Sequence, residues 1–81
     1  MSRIVDLEKK KALCARLARI EGQLRGLQKL IQEDADCEKI AQQMAAARKA
    51  LDKSFYAMVA CMIEEGRTPV DQVTTMLVKF S

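Results

Sequence analysis

The chain has 81 residues, 49% of them apolar but only three aromatic (Phe55, Tyr56 and Phe80). One small domain spanning residues 1–81 must therefore build its core from Leu, Ile, Met and Ala, which favours packed helices and an oligomer. There is no histidine, which excludes imidazole general bases, Ser-His-Asp and Cys-His catalysis and His-based zinc sites, and no phosphate-binding glycine loop, so nothing assembles an enzyme.

The formal charge is +3, unevenly spread: residues 1–32 carry eight Lys or Arg against three Asp or Glu, and residues 33–81 carry six against eight. A basic amino-terminal half suits a polyanion partner, although a solvated helix face dotted with cations would look the same. The chain starts Met1-Ser2-Arg3-Ile4-Val5-Asp6, with no apolar signal region. No later run reaches the roughly 18 apolar residues of a membrane span, so a cytoplasmic protein with no membrane partner is expected.

A first helix is expected from Asp6 to Gln32, with Leu13, Leu17, Ile20, Leu24, Leu27 and Ile31 as its core row. Inside it, Gly22 and Gly26 cost about 1 kcal/mol each. Close helix packing or close approach of a partner should offset that. Glu33-Asp34-Ala35-Asp36 breaks the pattern, and either Asp34 or Asp36 can cap the next helix. That second helix is expected from Asp36 to Glu65, ended by Gly66 as a left-handed cap. Thr68 and Pro69 read as the N-cap and first residue of a third helix, Pro69 to Lys79, with Val70, Val73, Leu77 and Phe80 on one face. The expected fold class is all-α. Two long antiparallel helices form a hairpin, and two hairpins form a dimeric four-helix bundle. Phe55, Val59, Met62 and Ile63 leave a flank for helix three or for another dimer, which fits a dimer of dimers.

Three cysteines without an export signal read as free thiols. Cys37 and Cys61 are 24 residues apart, about 36 Å along a helix, too far to meet within one chain. Both lie on a row of Cys37, Ile40, Met44, Ala47, Leu51, Ser54, Met58 and Cys61, which should bury itself against another helix. If that helix is its own copy running antiparallel, Cys37 faces the Cys61–Met62 region of the partner. Ala45, Ala46, Ala47 and Ala50 then surround a two-fold axis near Lys49. On a coiled-coil period either Cys61 or Met62 can face Cys37.

First-turn amides, the helix dipole and Lys39 favour a thiolate at Cys37, while Asp34, Asp36 and Glu38 oppose it. The plain alternative is a buried small hydrophobe, and Cys14 reads as a packing residue. A thiolate with a thiol or thioether suits Cu(I). Without metal the same pair suits persulfide, disulfide or aldehyde chemistry. For phosphates the candidates are Arg16, Arg19, Arg48, Lys49 and Lys53, which a hairpin can line up on one continuous surface. Neither a helix-turn-helix nor an aromatic platform for single strands accompanies them.

Three segments carry a family resemblance: Arg16-Leu17-Ala18-Arg19-Ile20-Glu21-Gly22-Gln23-Leu24, Asp34-Ala35-Asp36-Cys37, and Gln42-Gln43-Met44-Ala45-Ala46-Ala47-Arg48. Together they resemble the copper-sensitive operon repressor family, which also includes nickel/cobalt, formaldehyde and persulfide sensors. The resemblance runs ungapped from about Leu13 to Glu65 and is weak beyond. It implies an all-helical dimer of hairpins assembled into a tetramer, which binds operator DNA and releases it when an inducer occupies a site between protomers. The effector cysteine of that family falls on Cys37, and its DNA-contacting positions on Arg16 and, conservatively changed, Lys53. The next ligand, commonly His, falls on Met62, and the following Cys or His falls on Gly66, so the usual copper and persulfide sets are incomplete. An amino-terminal Pro of formaldehyde sensors is replaced by Ser2. Cys61 stands one position before the second ligand and is a candidate substitute.

The expected function is a cytosolic transcriptional repressor of bacterial type. Its basic surface binds double-stranded operator DNA, and Cu(I) or a thiol-reactive sulfur or aldehyde species releases it by acting at Cys37 with Cys61 or Met62 of the partner chain. The competing expectations are an intracellular Cu(I) or thiol carrier that does not bind DNA and a purely structural helical oligomer.

Overall fold

The computed structural model describes residues 3–66 and 68–80, and among them it contains three α-helices and no strand. They are α1 (Leu7–Gln32), α2 (Cys37–Glu65) and α3 (Val70–Phe80). The all-α expectation holds, with the two long helices antiparallel.

Each boundary has a local cause. Asp6 is extended and its carboxylate accepts the Lys9 N–H at 3.2 Å, which starts α1. At the other end Asp34 takes the left-handed conformation (φ 57°). The Ala35 N–H then reaches the Leu30 carbonyl (3.0 Å) and the Asp34 N–H the Ile31 carbonyl (3.2 Å). This is the Schellman closure, here made with Asp where glycine is usual. Two residues on, the Asp36 carboxylate accepts the N–H groups of Glu38 (3.1 Å) and Lys39 (3.4 Å) and caps α2. Of the two candidate caps it is thus Asp36 that caps, because Asp34 is engaged in ending α1. Gly66 ends α2 at φ 64°, its N–H donating to the Met62 and Ile63 carbonyls.

The third helix departs from expectation by one residue at each end. It starts at Val70, with the Pro69 carbonyl already accepting the Val73 N–H (3.2 Å), and runs on to Phe80. Its packed face also differs. Val73 is buried with Val59 and Met62 of α2, and Phe55, Met76 and Leu77 close around them. Val70 and Phe80 are exposed, because this short helix crosses α2 alone and touches it through its middle turns. Helix three therefore covers the expected flank on α2 except Ile63, which stays exposed.

The short turn between Gln32 and Cys37 lays α2 back along α1 and brings the start of one beside the end of the other. The result measures 48 × 27 × 16 Å, so its thin dimension is little more than one helix diameter of about 10–12 Å. Such a slab encloses only a small core, and among the described residues no large side chain is fully sealed. Its accessible area is 6460 Å², against roughly 4,900 Å² for a folded monomer of this mass.

Both long core rows split into alternate halves. In α1, Ile20 and Leu27 are buried and Leu13 half-buried, whereas Leu17, Leu24 and Ile31 are exposed. In α2, Ala47, Ser54 and Cys61 are buried, whereas Cys37, Met44, Leu51 and Met58 are exposed. One half of each row closes the seam between the helices. The other half is open. No helix among the described residues is long and apolar enough to cross a membrane.

Candidate functional site

The geometry of the two open half-rows follows from the helical repeat. At about 100° per residue, Leu17, Leu24 and Ile31 stand roughly 50° to one side of the α1 seam residues. Met44, Leu51 and Met58 stand off the α2 seam by about the same angle in the same rotational sense. Antiparallel helices turn equal offsets of this kind toward the same side of the hairpin. Leu17, Leu51 and Met58 accordingly border one groove. Six large apolar residues, between 37% and 52% exposed, thus share one face.

Opposite offsets fall on the opposite face. There Arg16, Arg19 and Gln23 of α1 and Ala50 and Lys53 of α2 border a groove floored by Ile20 and Ser54. Ser54 is tolerated in this buried position because its hydroxyl donates to the Ala50 carbonyl of its own helix (3.1 Å). The hairpin is therefore two-faced, apolar on one side and basic on the other. Three of the five candidate phosphate ligands, Arg16, Arg19 and Lys53, come together in the groove. Arg48 and Lys49 do not border it; both are exposed on α2, with Lys49 one helical turn before Lys53.

The thiols also separate. Cys37 is exposed as the first residue of α2, whereas Cys61 is buried, on the same helix side as Ala47 and Ser54. Cys14, expected to pack, is exposed, because it stands one residue outside the seam position Leu13. The first-turn amides expected to favour a Cys37 thiolate are engaged by the Asp36 carboxylate at Glu38 and Lys39. Met62 is buried between α2 and α3 beside Val59 and Val73. Ser2 lies outside the described residues.

One arrangement escaped the sequence reading. Glu64 and Glu65 occupy the last turn of α2, where no basic residue balances them and the helix dipole disfavours anions. The hairpin places them at the amino end of α1 instead, where anions are favoured. The Glu65 carboxylate accepts the Val5 N–H (3.2 Å to each oxygen) and the Asp6 N–H (3.1 Å), and Glu64 pairs with Lys9 at 3.0 Å. The hydrogen bond to Glu64 raises the Lys9 pKa, desolvation lowers it in part, and the charges of Glu64, Glu65 and Asp6 raise it further. Two carboxylates on the unfavourable end of a helix were the signal that could have pointed here.

Among the described residues, no group of three or more His, Cys, Asp or Glu side chains gathers to hold a metal ion. The donors of one chain do not fit an imidazole or carboxylate centre. What they offer is sulfur: an exposed thiol, a buried thiol and thioethers.

A helical hairpin with one basic and one apolar face, and no assembled catalytic group among the described residues, has the build of a DNA-binding regulator that self-associates. The family model for metal-sensitive transcriptional repressors matches residues 9–74, from the first turns of α1 to the middle of α3. The chain belongs to that family, one of transcriptional repressors and not of enzymes. The match extends past both ends of the resemblance visible in the sequence. No solved structure matches the chain.

Proposed function

We propose that this chain is a repressor whose hairpins pair through their apolar faces, bind operator DNA through their basic faces, and release it when an inducer acts at Cys37. The observation that carries this reading is the two-sidedness of the hairpin. Two copies packed antiparallel on Leu17, Leu24, Ile31, Met44, Leu51 and Met58 leave both grooves of Arg16, Arg19 and Lys53 outward, where phosphates reach them. The open half-row that carries Cys37 belongs to the paired face, so chemistry there bears on the interface.

In that pairing Cys37 approaches the partner's Cys61–Met62 region, and the soft donor pair suits Cu(I) or a thiol-reactive sulfur or aldehyde species. A 100-fold loss of DNA affinity requires the inducer to favour the released state by about 2.7 kcal/mol. A tetramer of two such dimers and a cytoplasmic location complete the reading.

The test uses duplex DNA selected by the protein from a random library, with binding followed by fluorescence anisotropy across a salt series. The expected result is steep salt-sensitive binding. Arg16→Ala and Lys53→Ala weaken it on all sequences, each lowering the salt slope by about 1 as one phosphate goes without its cation. Cys37→Ala stays bound when Cu(I), persulfide or formaldehyde is added. Absence of salt-sensitive binding to any duplex favours the thiol or Cu(I) carrier and overturns the repressor. A Cys37→Ala protein that still lets go overturns the inducer site.

A further inference from the structure

Beyond the cysteines, we infer that Met58, Met62 and Met76 form a thioether site for a soft monovalent cation, Cu(I) or Ag(I), within a single protomer. All three line one cavity of about 290 Å³ between α2 and α3. Met58 and Met62 stand one turn apart on α2, and Met76 faces them from α3, packed against the Val59, Met62 and Val73 cluster. The amino-terminal segment crosses one wall through Arg3 and Ile4, held by the Glu65 carboxylate, which lines the same cavity.

Methionine commonly serves as an adaptable filler of gaps in a core. Here the three side chains border a pocket open to solvent, where an ion can reach them. No aromatic ring is among the described lining residues, so a flat organic guest finds nothing to stack on. The Arg3 guanidinium in the lining offsets the Glu65 carboxylate, so the attraction rests on three neutral, polarizable sulfurs, which suit a soft cation of low coordination number and reject hard divalent ions. The unbranched side chains have the freedom to converge on an ion. Binding breaks no bond and moves no electron: the ion exchanges water for lone pairs on sulfur. Because thioethers need not lose a proton to bind, the site keeps its affinity where a thiolate site loses it.

The site needs no thiol, but it shares Met58 with the paired face and Met62 with the region that Cys37 approaches, so the experiment removes the thiols and follows the methionines alone. The experiment titrates silver nitrate in chloride-free buffer into protein carrying Cys14→Ala, Cys37→Ala and Cys61→Ala, with methionine methyl groups labelled for NMR. The expected result is saturation at one equivalent per chain, with the Met58, Met62 and Met76 methyl signals moving together and Met44 still. Met76→Leu should weaken binding about tenfold or more, and lowering the pH from about 7.5 to about 5.5 should change it less than twofold. Should loss of buried Cys61 unfold the hairpin, the Cys14→Ala/Cys37→Ala protein carries the same comparison with and without Met76→Leu. No methyl shift, equal shifts at Met44, or affinity insensitive to Met76→Leu overturns the site.

Discussion

Asp34 holds a conformation that L-residues adopt only at a cost, φ 57°, and does so on the exposed turn between the long helices. Asp and Asn tolerate this region better than other non-glycine residues, and a β-branched side chain hardly at all. Asp34→Val should therefore destabilise the protein by about 1–2 kcal/mol, well above the usual half kcal/mol or so for a surface change. Asp34→Gly should stay within about 0.5 kcal/mol, since relief of strain and greater unfolded-chain freedom oppose one another. Urea denaturation followed by circular dichroism measures both. Equal stability of the Val and Gly variants would contradict the role given to this backbone position.

The same residue shows what the sequence could and could not disclose. The Asp-Ala-Asp spacing announces a helix start but offers two caps of the same chemistry. Only the Schellman bonds of Ala35 and Asp34 to Leu30 and Ile31 assign one Asp to each task. Gly22 and Gly26, inside a helix, call for compensation. A Cβ at either would meet nothing within 4 Å, so packing inside the protomer is not the reason. A cost without a partner in one chain directs attention outside it.

At the scale of elements, the helices themselves were legible because long 3–4 rows and strong caps leave little choice. The division of each row into a closed and an open half was not. Residues such as Ile20 and Leu24 differ by about 40° around the helix, and both are apolar, so hydropathy alone cannot say which one faces the seam.

The junction of α1 with the end of α2 carries a pH dependence of its own. Hydrogen bonding to Glu64 raises the Lys9 pKa above its ordinary 10.5. A cation whose folded pKa is raised contributes stability that is fully present below the unfolded value and is lost as pH rises through the folded value. Lys9→Met should thus unfold at lower temperature than the parent at neutral pH, and the difference should vanish once the pH passes above that raised value. Thermal melts from neutral to strongly alkaline pH read this directly. A difference that persists or grows at the alkaline end would rule out the ion pair as its source.

At the scale of the whole molecule, the question is what a slab one helix thick does with two unequal faces. Its 6460 Å² of accessible surface exceeds the value for a compact monomer by roughly 1,600 Å². Two copies losing that excess would bury about 3,200 Å² together, within the range of about 2,000–5,000 Å² typical of obligate homodimers. The basic groove, by contrast, needs exposure to act. Pairing through the apolar face meets both demands at once, whereas pairing through the basic face would set like charges against each other and leave the apolar residues in water. Leu24→Glu combined with Leu51→Glu places a carboxylate on each helix of the apolar face without touching the seam. The parent melting temperature should rise with protein concentration, as mass action requires of an associating fold. That of the double variant should not, and its sedimentation should be that of a single chain. Melting and sedimentation unchanged by the two substitutions would mean that copies meet elsewhere, and the route from Cys37 chemistry to the DNA-binding face would lose its interface.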